Sequence, residues 1–259
     1  RPPHKPARDR RSIAAAIVRE GRIASQRRDW PTAAEAYSRA AQQARAAGNN
    51  EQAAEFAYTQ AAVEIEAGQF ERASQLLREF PKNYPQDARV VEAHLLLAWT
   101  LGRLNAEHPT AARRADYLSQ LKDHVAKFPD SPTIHEAQWS LAVDAIQHQE
   151  WPAAVEVLEA IPPEHARAVE IEAQLPYCFE QGLAAITEPE LRTAWEERAL
   201  AALKKQYAHW PRPPAGWNLA QSENALRWTR LLLRLGQRRY KEADQLLVQI
   251  VSSREIEAR

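Results

Sequence analysis

The chain has 259 residues, with 34 Lys+Arg against 34 Asp+Glu, so it is formally neutral. Neutrality argues against a nucleic-acid binder driven by bulk charge. The single cysteine, Cys178, excludes an intrachain disulfide and a cysteine-rich zinc site. Only 7 glycines stand beside 17 prolines and 8 tryptophans, which argues against a β-rich fold of tight turns and against Gly-rich phosphate loops.

The chain opens Arg1-Pro2-Pro3-His4-Lys5-Pro6, and residues 1–11 read as a basic, Pro-rich linker or disordered arm. The other reading is a basic arm that touches an anionic surface. Methionine is missing even from position 1, which points to a piece of a longer or processed protein and leaves cytoplasm and bacterial periplasm both open. No apolar run is long enough to span a bilayer.

From residue 12 onward apolar residues recur at helical spacing, with Ala, Leu, Glu, Gln and Arg filling most positions. Strand-like alternation is nowhere evident. Breakers fall at regular intervals: Arg28 to Pro31, Gly48 to Asn50, Gly68-Gln69, Pro81 to Pro85, His108-Pro109, Pro129 to Pro132, Glu150 to Pro152, Pro162-Pro163, Glu188-Pro189, Pro211 to Gly216 and Gly236. This punctuation predicts helical hairpins stacked in sequence.

A repeated device marks the turns. Asp29-Trp30-Pro31-Thr32-Ala33-Ala34 matches Glu150-Trp151-Pro152-Ala153-Ala154-Val155: an acid, an aromatic, a proline, then small residues. Proline suits the first turn of a helix, where the N–H it lacks would be unpaired. Gly68-Gln69-Phe70-Glu71-Arg72-Ala73 and Arg239-Tyr240-Lys241-Glu242-Ala243 repeat the device without the proline.

Aligned on these turns, the chain resembles the tetratricopeptide repeat family, with a spacing nearer 40 residues than the usual ~34. The first repeat places Gly21 and Ala33 at the close-packing positions, followed by Tyr37 and Ala40. The second has Ala61, Ala73 and Leu77 and ends at Pro85. The third carries Leu97, Ala98 and Leu101, a turn from Leu104 to Thr110, and a close at Phe128-Pro129. The fourth has Leu141, Ala142, Ala154 and Leu158. The fifth, residues 164–210, departs most, and Pro176 is expected to kink or split its first helix. The last, about 217–258, matches through Tyr240, Ala243 and Leu247. The resemblance implies an all-α, right-handed solenoid of about six hairpins: hairpins 1–4 over residues 12–162, then a divergent fifth and a C-terminal sixth over 163–258. A HEAT-like array is the structural alternative. Phe80-Pro81-Lys82-Asn83-Tyr84-Pro85 and Lys127-Phe128-Pro129-Asp130-Ser131-Pro132 also look like segments of bacterial envelope repeat proteins that serve in outer-membrane assembly and cell division.

Catalytic chemistry finds no support in the sequence. His135-Glu136 begins like a zinc-protease motif, but Trp139 stands where the second histidine belongs. His94, His124, His135 and His148 read as packing or polar-face residues, and Cys178, with no basic neighbour, as a buried apolar side chain. No cofactor, metal or catalytic residue is expected.

In the family that the chain resembles, the first helix of each hairpin lines an inner groove. Carried onto this sequence, that register selects Arg19 and Arg22; then Tyr58, Thr59, Ala62 and Ile65; then Leu95, Leu96 and Trp99; then Trp139, Ser140 and Val143. The groove is expected to be basic at its start and apolar-aromatic in its middle, a surface for an apolar peptide or helix. The family's carboxylate-grasping Lys/Asn pattern is absent, which disfavours a chaperone-tail receptor. Trp99 and Trp139 have a second reading, as interior packing between hairpins. A second candidate is basic: Arg227, Arg230 and Arg234 share one face of a helix, with Arg238, Arg239 and Lys241 at its end.

The expected function is a non-catalytic scaffold or adaptor that binds another protein. The alternatives are a binder of an anionic polymer or surface through basic ends, and a regulatory repeat domain of a larger enzyme or envelope-assembly protein. Charge is also unevenly spread: +7 over residues 1–48, −10 over 49–175 and +3 over 176–259. In an elongated array those regions stay apart, so head-to-tail self-association is a further expectation.

Overall fold

A computed structural model describes residues 6–162, 165–210 and 217–257. Among these residues there are twelve α-helices, one short 3-10 turn and no strand. The helices follow one another through short connections, the helical-hairpin repeat fold that the resemblance implies. The chain divides into two compact units, Arg1–Ala137 and Gln138–Arg259.

The first unit holds α1 (Pro6–Gln26) with α2 (Trp30–Ala46), α3 (Asn50–Glu66) with α4 (Phe70–Asn83), and α5 (Val90–Glu107) with α6 (Ala111–Lys127). Each helix packs on the one before it, the pattern of a stack whose hairpins cannot bury their apolar faces alone. Small residues set the crossings. Ala33, Ala36, Ala53, Ala61, Ala73, Ala93 and Ala98 are at most 1% exposed. A Cβ on Gly21 would sit 3.2 Å from the Tyr37 ring, and one on Gly102 would sit 3.1 Å from Tyr117.

Four turns close in the same way. Asp29, Asn49, Gln69 and Glu150 each donate their backbone N–H to a carbonyl five residues back: Ala24, Ala44, Glu64 and Ala145. This closure needs a left-handed residue just before, filled by Arg28, Gly48, Gly68 and Gln149 at φ between 59° and 75°. Asp29 and Asn49 then cap the next helix by accepting from the backbone N–H of Thr32 and Gln52. Four of the breaks in the sequence are this one closure used repeatedly.

The junctions after α4 and α6 are longer and also alike. Asp87 N–H donates to the Tyr84 carbonyl and Val90 N–H to that of Asp87; Ser131 and Ile134 do the same to Phe128 and Ser131. Helix α5 extends past Leu104 to Glu107, so the expected turn from Leu104 to Thr110 narrows to residues 108–110.

The second unit holds most of α7 (Ile134–Gln147), which begins in the first, and then α8 (Trp151–Ala160), α9 (Ala168–Ala185), α10 (Pro189–His209), α11 (Leu219–Arg234) and α12 (Tyr240–Glu257). Its core adds large rings to the small residues. Phe179, Trp195, Trp228, Trp210 and Trp217 are buried together with Leu158, Leu231 and Leu232. Helix α9 is not split at Pro176: it continues to Ala185. Proline removes one helical hydrogen bond, yet the turns beyond it carry Cys178, Phe179, Gly182 and Leu183 into the core. Gly182 is where α9 meets α10. A Cβ there would lie 2.5 Å from the Trp195 ring, whose indole N–H donates to the Phe179 carbonyl at 3.0 Å. Cys178 is fully buried, and desolvation pushes its thiol pKa up to about 12, the environment of an inert packing residue.

Candidate functional site

The expected groove residues fall in both units. In the first unit, Arg19 and Arg22 are exposed on α1. Tyr58 and Thr59 are half-buried on α3, and the Thr59 hydroxyl donates to the Glu55 carbonyl at 2.8 Å. The Tyr58 ring meets Phe80 edge-on at 6.0 Å. Burial raises the Tyr58 pKa and Glu92 raises it further, with Arg89 opposing.

Leu95, Leu96 and Trp99 follow on successive turns of α5. Leu95 and Leu96 are half-buried, and Trp99 is 49% exposed. Leaving a tryptophan this open is unusual where a core is available to take it. Its ring is held rather than loose. It meets Phe70 edge-on at 6.0 Å, and the Arg103 guanidinium lies 5.4 Å from the Phe70 centroid and 5.9 Å from that of Trp99. Arg103, one turn beyond Trp99, is absent from the residues selected by sequence, although its spacing of four places it beside the ring.

In the second unit Trp139 and Val143 are half-buried on α7. The Arg167 guanidinium stands 5.7 Å over the Trp139 ring. Tyr58, Trp99 and Trp139 all keep exposed surface.

The basic face of α11 is largely engaged within the fold. Arg227 is half-buried and donates to the Ala173 carbonyl at 2.8 Å. Arg234 pairs with Glu180 at 2.8 Å and Arg239 with Glu242 at 3.2 Å. Arg230 is exposed. The side chain of Arg238 lies outside the described residues. Two of these arginines anchor α11 to α9, a long-range role that helical spacing along one helix cannot reveal.

His94 and His124 are packing residues. Both are buried, with ring nitrogens 3.3 Å apart, and both rings lie 5.2 Å from Phe128. Gln120 donates to the His94 carbonyl at 3.1 Å, and His124 Nε2 lies 2.9 Å from the Thr133 hydroxyl. Desolvation lowers both histidine pKa values, that of His124 to about 4. Among the described residues no group of three or more His, Cys, Asp or Glu side chains could hold a metal ion, and no helix is long and apolar enough to cross a membrane.

No protein-family model matches the sequence, and neither does any curated protein. Among solved structures, the chain is similar to the MamA protein at 15% identity over 77% of this chain and 96% of that one, with a TM-score of 0.48. A Podosopora anserina protein of kinesin-light-chain type, built of nearly identical TPR-like repeats, gives 16% identity, 78% and 95% coverage and a TM-score of 0.41. The TPR2AB domain of yeast Sti1, in complex with pHSP90, gives 16% identity, 95% and 93% coverage and a TM-score of 0.31.

Proposed function

We propose that this chain is a non-catalytic protein-interaction scaffold that docks an apolar peptide or helix of a partner on the first helices of its hairpins. The observation that carries this reading is Trp99, held half-exposed by Phe70 and Arg103 beside the partly buried Leu95 and Leu96. A large ring fixed in place before binding loses little conformational freedom on contact, which makes it an efficient anchor. Tyr58 extends that surface in the first unit; Trp139 and Val143 offer a second anchor point in the other.

The test is selection from a display library of amphipathic helical peptides. Selected peptides are expected to stay bound at roughly 1 M salt, where exposed charge attraction is screened within about 3 Å. Trp99→Ala is expected to weaken them at least tenfold, the loss typical of an interface anchor. Peptides that bind Trp99→Ala as tightly as the parent chain overturn the proposal. Binding only of anionic polymers, abolished by salt and by Arg230→Glu, also overturns it.

A further inference from the structure

Helices α8, α9 and α10 of the second unit enclose a pocket of about 310 Å³. Small-molecule sites begin near this size, and they set a few placed polar groups in an apolar wall. The wall here is Leu158 and Ile161 from the end of α8, Ile171 and Leu175 from α9, and Ala202 from α10, all buried. Two half-buried polar side chains interrupt it, Glu172 from α9 and Gln206 from α10.

Glu172 is desolvated. Burial raises its pKa, and the Trp210 indole and His209 oppose the rise. Trp210 is 4% exposed, and its buried Nε1 has no hydrogen-bond partner. The indole N–H thus acts on the Glu172 carboxylate without closing a bond to it, and a buried donor left unpaired is costly. Gln206 is oriented by the Trp228 indole, which donates to its Oε1 at 2.7 Å and leaves Nε2 as a donor.

A ligand group beside Glu172 and Trp210 has to donate to the first and accept from the second. A hydroxyl does both; an ammonium only donates, and a carboxylate only accepts. Charge agrees with a neutral ligand. Lys205 and His209 line the pocket from the same face of α10 as Gln206, and Glu159 is paired with Arg198 at 2.7 Å, so neither sign prevails along the lining.

We propose that this pocket binds a small neutral molecule with an apolar body and a hydroxyl, which accepts from the Trp210 indole N–H and donates to the Glu172 carboxylate. The site shares no residue with the docking face proposed above and stands or falls separately from it.

The experiment is an NMR titration of the full chain with three probes that carry the same tail: 1-hexanol, hexylammonium and hexanoate. The reporters are the Trp210 indole N–H, identified by its loss in Trp210→Phe, and the Trp228 indole N–H, which senses the pocket through Gln206. Hexanol is expected to shift both saturably, and the two ions to bind at least about tenfold more weakly. Trp210→Phe keeps a ring and removes the donor, so hexanol, read at Trp228, is expected to bind about tenfold more weakly. Ala201 lines the pocket from an exposed position, and Ala201→Phe is expected to abolish the shifts while the melting temperature stays unchanged. Equal affinity for the three probes, tighter binding of either ion, no saturable shift with hexanol, or unchanged hexanol binding in either variant overturns the proposal.

Discussion

The junction of residues 84–89 and that of 128–133 follow the same backbone course and seal against different chemistry. Each begins with a ring followed by proline, and each has a side chain that accepts the backbone N–H two residues on: Asp87 from Arg89 at 2.9 Å, Ser131 from Thr133 at 3.1 Å. Tyr84 closes onto Phe80 at 5.2 Å, with the Arg45 guanidinium 5.1 Å from its centroid. Phe128 closes onto the buried pair His94 and His124. A short local code thus sets the loop, while the surface beneath the ring varies from aromatic to imidazole. The second junction gains a direct tie, His124 to Thr133, made through a buried imidazole.

The largest effect expected from breaking this comparison is loss of the ring. Tyr84→Ala is expected to cost about 3 kcal/mol and Phe128→Ala, at a half-buried ring, about 2 kcal/mol, measured by urea unfolding. A Phe128→Ala loss well above that of Tyr84→Ala would mean that the histidines depend on the ring for their shielding.

Next comes pH. The folded pKa of His124 is lowered to about 4 and that of His94 is lowered too, whereas an unfolded chain binds these protons near the ordinary histidine value of ~6.5. The unfolded state therefore holds more protons between these values. Stability contributed by the neutral pair is present above about pH 6.5, drains as pH falls toward about 4, and levels off below. Between pH 7 and pH 5 the loss from His124 is on the order of 2 kcal/mol. In His124→Gln the stability difference between pH 7 and pH 5 is expected to shrink, while Tyr84→Phe leaves it unchanged. Equal slopes in His124→Gln and the parent would show that the pair titrates normally.

The smallest effect concerns the turn caps. Asp87→Ala removes an acceptor of both the Arg89 backbone N–H and its guanidinium, and is expected to cost about 1 kcal/mol. Ser131→Ala is expected to cost about 0.5 kcal/mol. Equal costs would show that the Arg89 guanidinium adds nothing.

The same junctions show how far the sequence can be read. Their breakers, and the acid–aromatic–proline turns, are local signals, so the hairpin order was legible. The small residues of the first unit were legible for the same reason: Gly21, Ala33, Ala61 and Ala73 stand at fixed distances from their turns. The fifth hairpin hid its equivalent, because Gly182 is matched to the bulky Trp195 and not to another small residue. Pro176 does not split its helix, because the next two turns carry Cys178, Phe179, Gly182 and Leu183 into the core, which local strain alone does not reveal. Among the candidate site residues, Trp99 was selected by the register that the resemblance implies, while its exposure stayed open between a groove and interior packing until the structure showed it 49% exposed. The anchoring of Arg227 on Ala173 and of Arg234 on Glu180 spans residues 54 apart in both cases, a distance over which no periodicity speaks.

The most direct measurement compares two tryptophans in the free protein. Trp228 is fully buried, and Trp99 is 49% exposed. By urea unfolding, Trp228→Ala is expected to lose about 4 kcal/mol, and Trp99→Ala less than about 1 kcal/mol. That result leaves Trp99 a surface anchor held ready for a partner. Comparable losses for the two variants would make Trp99 a core residue and contradict the docking face.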